Sequence, residues 1–124
     1  IDWIPFIKAS MERNPVCFSE LDSMLVDEVY GILGKMPDES IYDGNRLALP
    51  DEVWNFRRGD GVEKALMLAD FIGMKYPGSP VHIEISDSRV VLKYRTEEYP
   101  FHSSKGFRKL ISISGKVYSV KDLP

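Results

Sequence analysis

Residues that carry chemistry are scarce in this chain. Its 124 residues include one cysteine, Cys17, and two histidines, His82 and His102. A single cysteine excludes an internal disulfide and a cysteine-based zinc site. Two histidines among scattered carboxylates give no recognisable metal-ligand spacing, and no cofactor is implied. No apolar run approaches the roughly 18 residues that suggest a membrane span. The opening IDWIPFIK has neither the basic region nor the apolar region of a signal peptide. It does not begin with Met, so the chain reads as a piece of something longer. The lone cysteine leaves the compartment open.

Strong charge of one sign is also lacking. The net charge of -3 argues against a dedicated nucleic-acid binder. The balance is uneven, with -7 over residues 1–55 and +4 over residues 56–124. A basic C-terminal half suits acidic partners, or else only solvates the faces of strands. With 44% hydrophobic and 28% charged residues, the composition is that of a folded domain with its own core.

What the chain does have is regular patterning. Trp3, Ile4, Phe6 and Ile7 form a helical stripe over Asp2 to Glu12, with Pro5 confined to the first turn and Asn14-Pro15 as the break. Ser19 reads as an N-cap with acidic residues after it, and the spacing predicts one helix from Ser19 to Leu33. Residues 35–49, punctuated by Pro37, Asp43-Gly44 and Asn45, read as a connection. Pro50 opens a short helix to Asn55. Next comes the turn Arg57-Arg58-Gly59-Asp60-Gly61.

From Val62 the apolar positions Val62, Ala65, Leu66, Ala69 and Ile72 recur at helical spacing, widened by Leu68 and Phe71. So few polar residues interrupt them that this helix is expected to be central and buried. After Pro80 the pattern becomes alternating, with Val81, Ile83 and Ile85 on one face and His82, Glu84 and Ser86 on the other. Arg89 to Arg95 completes a hairpin, Thr96 to Gly106 reads as a polar loop around Pro100, and residues 107–120 form a second hairpin. Helices first and antiparallel strands after predict an α+β domain with helices on one face of a sheet.

The order of elements and the run PDEVWNFRRGDGVEKALMLADFI resemble the transglutaminase-like superfamily of papain-related cysteine enzymes. Such enzymes carry a Gly-Asp-Cys turn, an acidic residue, Ala and an apolar helix. Their cysteine stands at the helix N-terminus, where the dipole and free N–H groups favour its thiolate. Gly59-Asp60-Gly61 matches the turn, with Gly61 in place of the nucleophile, and Glu63 and Ala65 match the acidic and small positions after it. Gly115 to Lys121 matches the last hairpin of the family, with Lys121 in place of the aspartate and Gly106 in place of the histidine. His102 and Asp122 are the alternative positions for those two. The resemblance implies one domain over residues 1–124, a helical part over 1–46 and a core over 47–124. It also implies no acyl-transfer chemistry at position 61, because glycine has no nucleophile.

Four residues are candidates for binding: Trp54, Arg57, Arg58 and His102. Trp54 lies beside the turn, where it lines a remnant groove or simply fills the core. Arg57, Arg58 and the turn's N–H groups could hold an anion, but the Asp60 carboxylate competes for the same donors. Asp60 and Arg58 are then expected to tie the turn to neighbouring loops. His102 falls in a predicted loop, and His82 on a sheet surface. The expected function is a catalytically inactive binding or scaffolding module within a larger bacterial protein. Its partner would be a peptide, a glycan or another domain of the parent chain. The alternative is a hydrolase or acyltransferase that uses Cys17 with His102 or His82.

Overall fold

The computed structural model describes residues 1–13 and 16–124, the side chains of residues 16–18 excepted. The Asn14-Pro15 break therefore lies outside the described residues. Five helices precede five strands: α1 (Trp3–Glu12), α2 (Val16–Leu21), α3 (Val26–Gly34), α4 (Pro50–Phe56), α5 (Gly61–Lys75), then β1 (Val81–Ser86), β2 (Arg89–Tyr94), β3 (Glu97–His102), β4 (Arg108–Ser114) and β5 (Val117–Asp122). The strands form one antiparallel sheet in the order β3-β2-β1-β4-β5. The fold is α+β, as the change of period at Pro80 predicts.

The alternation in β1 sets the register of the whole sheet. Ile83 stands between Leu92 of β2 and Ile111 of β4, and Val81 stands between Tyr94 and Ile113. All of these are buried on the face that meets the helices. Glu84 and His82 point away, and His82 Nδ1 lies 3.0 Å from Ser112 Oγ on that outer face. α5 lies between the sheet and the other helices, so every residue from Gly61 to Ile72 is buried. Leu66, Met67, Leu68 and Ile72 have no exposed surface. Each such side chain contributes about 1.5–3 kcal/mol of burial. The core also takes in Ile7, Val29 and Leu33 from the N-terminal helices, so residues 1–46 and 47–124 share it.

Two expectations need correction. The single helix from Ser19 to Leu33 is instead two, α2 and α3, with a turn between them. Two interactions hold that break. The Lys75 ammonium takes the carbonyls of Asp22 and Met24, and Glu28 reaches back to the Leu25 N–H at 2.9 Å. The break rotates the stripe, so that Val26 is buried and Leu25 is 61% exposed. Residues 97–102, read as part of a polar loop, form the edge strand β3. Pro100 lacks a donor N–H and is tolerated because it sits on an edge.

Candidate functional site

The turn before α5 is built from sequence-local capping that extends into long-range ties. Asp60 is the N-cap, and its Oδ2 accepts from the Val62 N–H at 2.9 Å. Glu63 Oε1 accepts from the Asp60 N–H at 2.7 Å, which completes a capping box. The remaining acceptor sites go outward. Asp60 takes the Ser103 hydroxyl at 2.8 Å and the Ser104 N–H at 2.9 Å. Glu63 Oε2 takes the Ala48 N–H at 2.5 Å and the Ser40 hydroxyl at 2.8 Å. The Lys64 ammonium meets the Met36 carbonyl and the Asp38 carboxylate, each at 2.7 Å. Three buried ionisable side chains in five residues are thus all bonded to loops 36–48 and 103–104. The cap spacing Asp-x-x-Glu is visible in the sequence, but the distant partners are not.

Gly61 is closed in. A Cβ placed on it would lie 3.0 Å from the His102 nitrogen, 2.6 Å from its carbonyl carbon, and closer still to its oxygen. No real Cβ tolerates such contacts with backbone, so position 61 has no room for any side chain unless β3 moves. An anion does not fit here either, since the turn presents two buried carboxylates, to which the Asp60 and Val62 N–H groups are already bonded.

The structure does not bring together the three positions matched to a catalytic set. Gly61 packs on β3 at one edge of the sheet, whereas Lys121 is on β5 at the other. Four strand spacings separate those edges, roughly 19 Å. Gly106 lies in the loop after β3 in a left-handed conformation, φ 75°, with open space around it. Asp122, the alternative to Lys121, shares its strand and pairs with Lys109. The register carried onto residues 106–121 therefore has no counterpart in the contacts around Gly61. What touches Gly61 is His102.

The expected binding residues also separate. Trp54 is only 6% exposed, and its Nε1 donates to Glu20 Oε2 at 2.9 Å. The Arg57 guanidinium covers its ring at 3.5 Å, a cation–π contact. Arg58 lies 4.0 Å from Glu39, so both it and Asp60 reach neighbouring loops as expected. His102 lines a groove. That groove, about 470 Å³, runs between α3 and β3 beside the start of α5. Tyr30 and Phe101 meet edge to face at 5.2 Å along it, with Asp38, Arg89 and His102 around them. Arg89 and His102 are paired across β2 and β3. The Cys17 side chain lies outside the described residues, and so does its use with either histidine. Among the described residues no three His, Cys, Asp or Glu side chains gather in a metal-binding group. No helix among them is long and apolar enough to cross a membrane.

The fold and the turn together define a class: an α+β domain of five helices on a five-stranded antiparallel sheet, whose central helix begins in a sterically closed cap. No protein-family model, curated protein or solved structure gives a significant match to this chain.

Proposed function

We propose that this chain is a binding or scaffolding module without catalysis, a degenerate transglutaminase-like domain that holds a peptide, a glycan or another domain of its parent protein. The observation that carries this reading is the packing of Gly61. The place where a nucleophile would stand is filled by the backbone of His102, and the charged residues around it are engaged in holding loops. The likeness to the superfamily rests on the turn and α5 alone, since Gly106 and Lys121 do not join them. The groove beside the turn supplies what a ligand needs: two aromatic edges and the cationic Arg89 with His102 next to it.

Two assays test the reading. Amidase, protease and transglutaminase substrates should show no turnover with the wild type or with His102→Ala. Turnover abolished by His102→Ala would overturn the proposal. In the second assay, peptide and glycan arrays are probed with the wild type and with Arg89→Glu. Binding lost in the variant supports the groove, and binding that the variant leaves unchanged removes the groove from the proposal.

A further inference from the structure

The far half of α5 carries a feature the turn does not explain. Asp70 is nine residues beyond Gly61, about 14 Å along the helix. It is 1% exposed, and neither of its carboxylate oxygens has a hydrogen-bond partner among the described residues. Buried polar groups are nearly always bonded, and an orphaned carboxylate is the most costly exception.

Asp70 lines a cavity of about 330 Å³ between α1, the second half of α5 and the β4–β5 hairpin. The buried floor is otherwise apolar, made by Ala69, Val81 and Ile113, with Met11 and Met74 on the walls. Glu12, Lys116 and Tyr118 stand toward the mouth.

Gly73 stands on the solvent-exposed side of the cavity. It lines the same space, one helical turn from Asp70, and a Cβ placed on it would touch nothing within 4 Å. Close packing does not require a glycine here, and helices disfavour it.

We infer that this cavity is a binding site for a small organic ammonium ion with an apolar body, the ammonium on the Asp70 carboxylate and the body among the methionines. A buried carboxylate without a hydrogen bond, beside apolar side chains, matches one compact cation with a hydrophobic tail. A metal ion would need further ligands, and among the described residues no three His, Cys, Asp or Glu side chains gather here. The inference is independent of the groove beside the turn, so either can fail alone.

Burial, reinforced by the negative charge of Asp51 on α4, pushes the Asp70 carboxyl up to about 8. Among the described residues the other ionisable groups around the cavity are Glu12 on α1, held low first by the hydroxyl that Tyr118 donates to it, Tyr118 itself, pushed up first by burial, and Lys116 on the hairpin. Ammonium binding requires the ionised form of Asp70. Affinity should therefore rise about tenfold from pH 6 to pH 7 and level off above pH 8.

The test is titration of the isotope-labelled protein, followed by NMR, with 2-phenylethylammonium and with the neutral 2-phenylethanol. The expected result is tighter binding of the ammonium with that pH dependence, mapped to Met11, Met74 and Gly73. Asp70→Asn should remove both the preference and the pH dependence. Gly73→Leu, which fills open space, should block both probes. Equal affinity for the two probes, ammonium binding retained in Asp70→Asn, or no binding at millimolar concentration overturns the inference. Binding undisturbed by Gly73→Leu would place the probe elsewhere and overturn it as well.

Discussion

The two halves of α5 treat buried charge in opposite ways. At the N-terminal end Asp60, Glu63 and Lys64 are buried, and each is bonded to backbone or side chains of distant loops. In the C-terminal half Asp70 is buried just as deeply and bonded to nothing among the described residues. Glycine shows the same contrast. Gly61 is required by the backbone of β3, whereas Gly73 faces open space. A buried charge with every acceptor engaged is architecture, and one left orphaned beside a cavity calls for a ligand. The turn that resembles a catalytic motif is thus the structural end of the helix, and the half that reads as plain core holds the unexplained chemistry.

The largest expected effect tests the architectural end. Glu63→Ala leaves the buried N–H groups of Ala48 and Asp60 without an acceptor and frees the Ser40 hydroxyl. An unmet buried donor costs about 1–3 kcal/mol, so the two N–H groups together put the loss at about 2–6 kcal/mol. That is a large part of the stability of an ordinary domain. Urea unfolding measures it, and a loss below about 1 kcal/mol would mean that water replaces the carboxylate.

Next comes Asp70, with the opposite sign. Its carboxyl titrates at about 8 when folded, against an ordinary value of 3.8. Below both values the two states are protonated alike. Between them only the unfolded chain ionises, so folding loses about 1.4 kcal/mol per pH unit as pH rises, and the full penalty is reached above pH 8. Asp70→Asn removes this slope. Relative to the variant, the wild type should lose about 3 kcal/mol of stability between pH 4.5 and pH 7. Parallel pH profiles for the two proteins would show that Asp70 has a partner or water in solution, and the contrast between the two ends would vanish.

Much of the fold is legible in the sequence because it depends on period and punctuation. Helical spacing marks α1 and α5, Pro50 marks α4, alternation marks the first hairpin, and the turn at Ser114-Gly115 marks the second. The break between α2 and α3 is not legible, because the Lys75 ammonium that takes the carbonyls at Asp22 and Met24 comes from some fifty residues away. β3 is hidden by Pro100 and its charged neighbours, which suit an edge strand as well as a loop. At the site, the tying role of Asp60 comes from chemistry alone. The register of residues 106–121 does not, since nothing local says which strand reaches Gly61. Asp70 does leave a signal in the sequence: a carboxylate in the middle of a helix whose apolar pattern implies burial on all sides.

One substitution made at two positions sharpens the comparison further. Gly61→Ala puts a Cβ into the backbone of His102, so β3 or the start of α5 must shift. Overpacking of this kind costs about 1–3 kcal/mol. Thermal unfolding should show a clear fall in Tm, and Gly61→Cys should fall at least as far without gaining acyl-transfer activity. An unchanged Tm would mean that β3 yields readily and that position 61 could hold a side chain after all.

Gly73→Ala is the same change twelve residues on in the same helix, and it should do the reverse. The new methyl meets nothing, the residue has ordinary helical geometry, and alanine narrows the unfolded ensemble. The expected gain is about 0.5–1 kcal/mol, the smallest effect here but the most discriminating. A gain would show that the helix keeps a glycine against its own preference, as it would if the space beside Asp70 were there to be filled. A loss would mean that something packs on Gly73 in solution, and the cavity would then be closed to a ligand from that side.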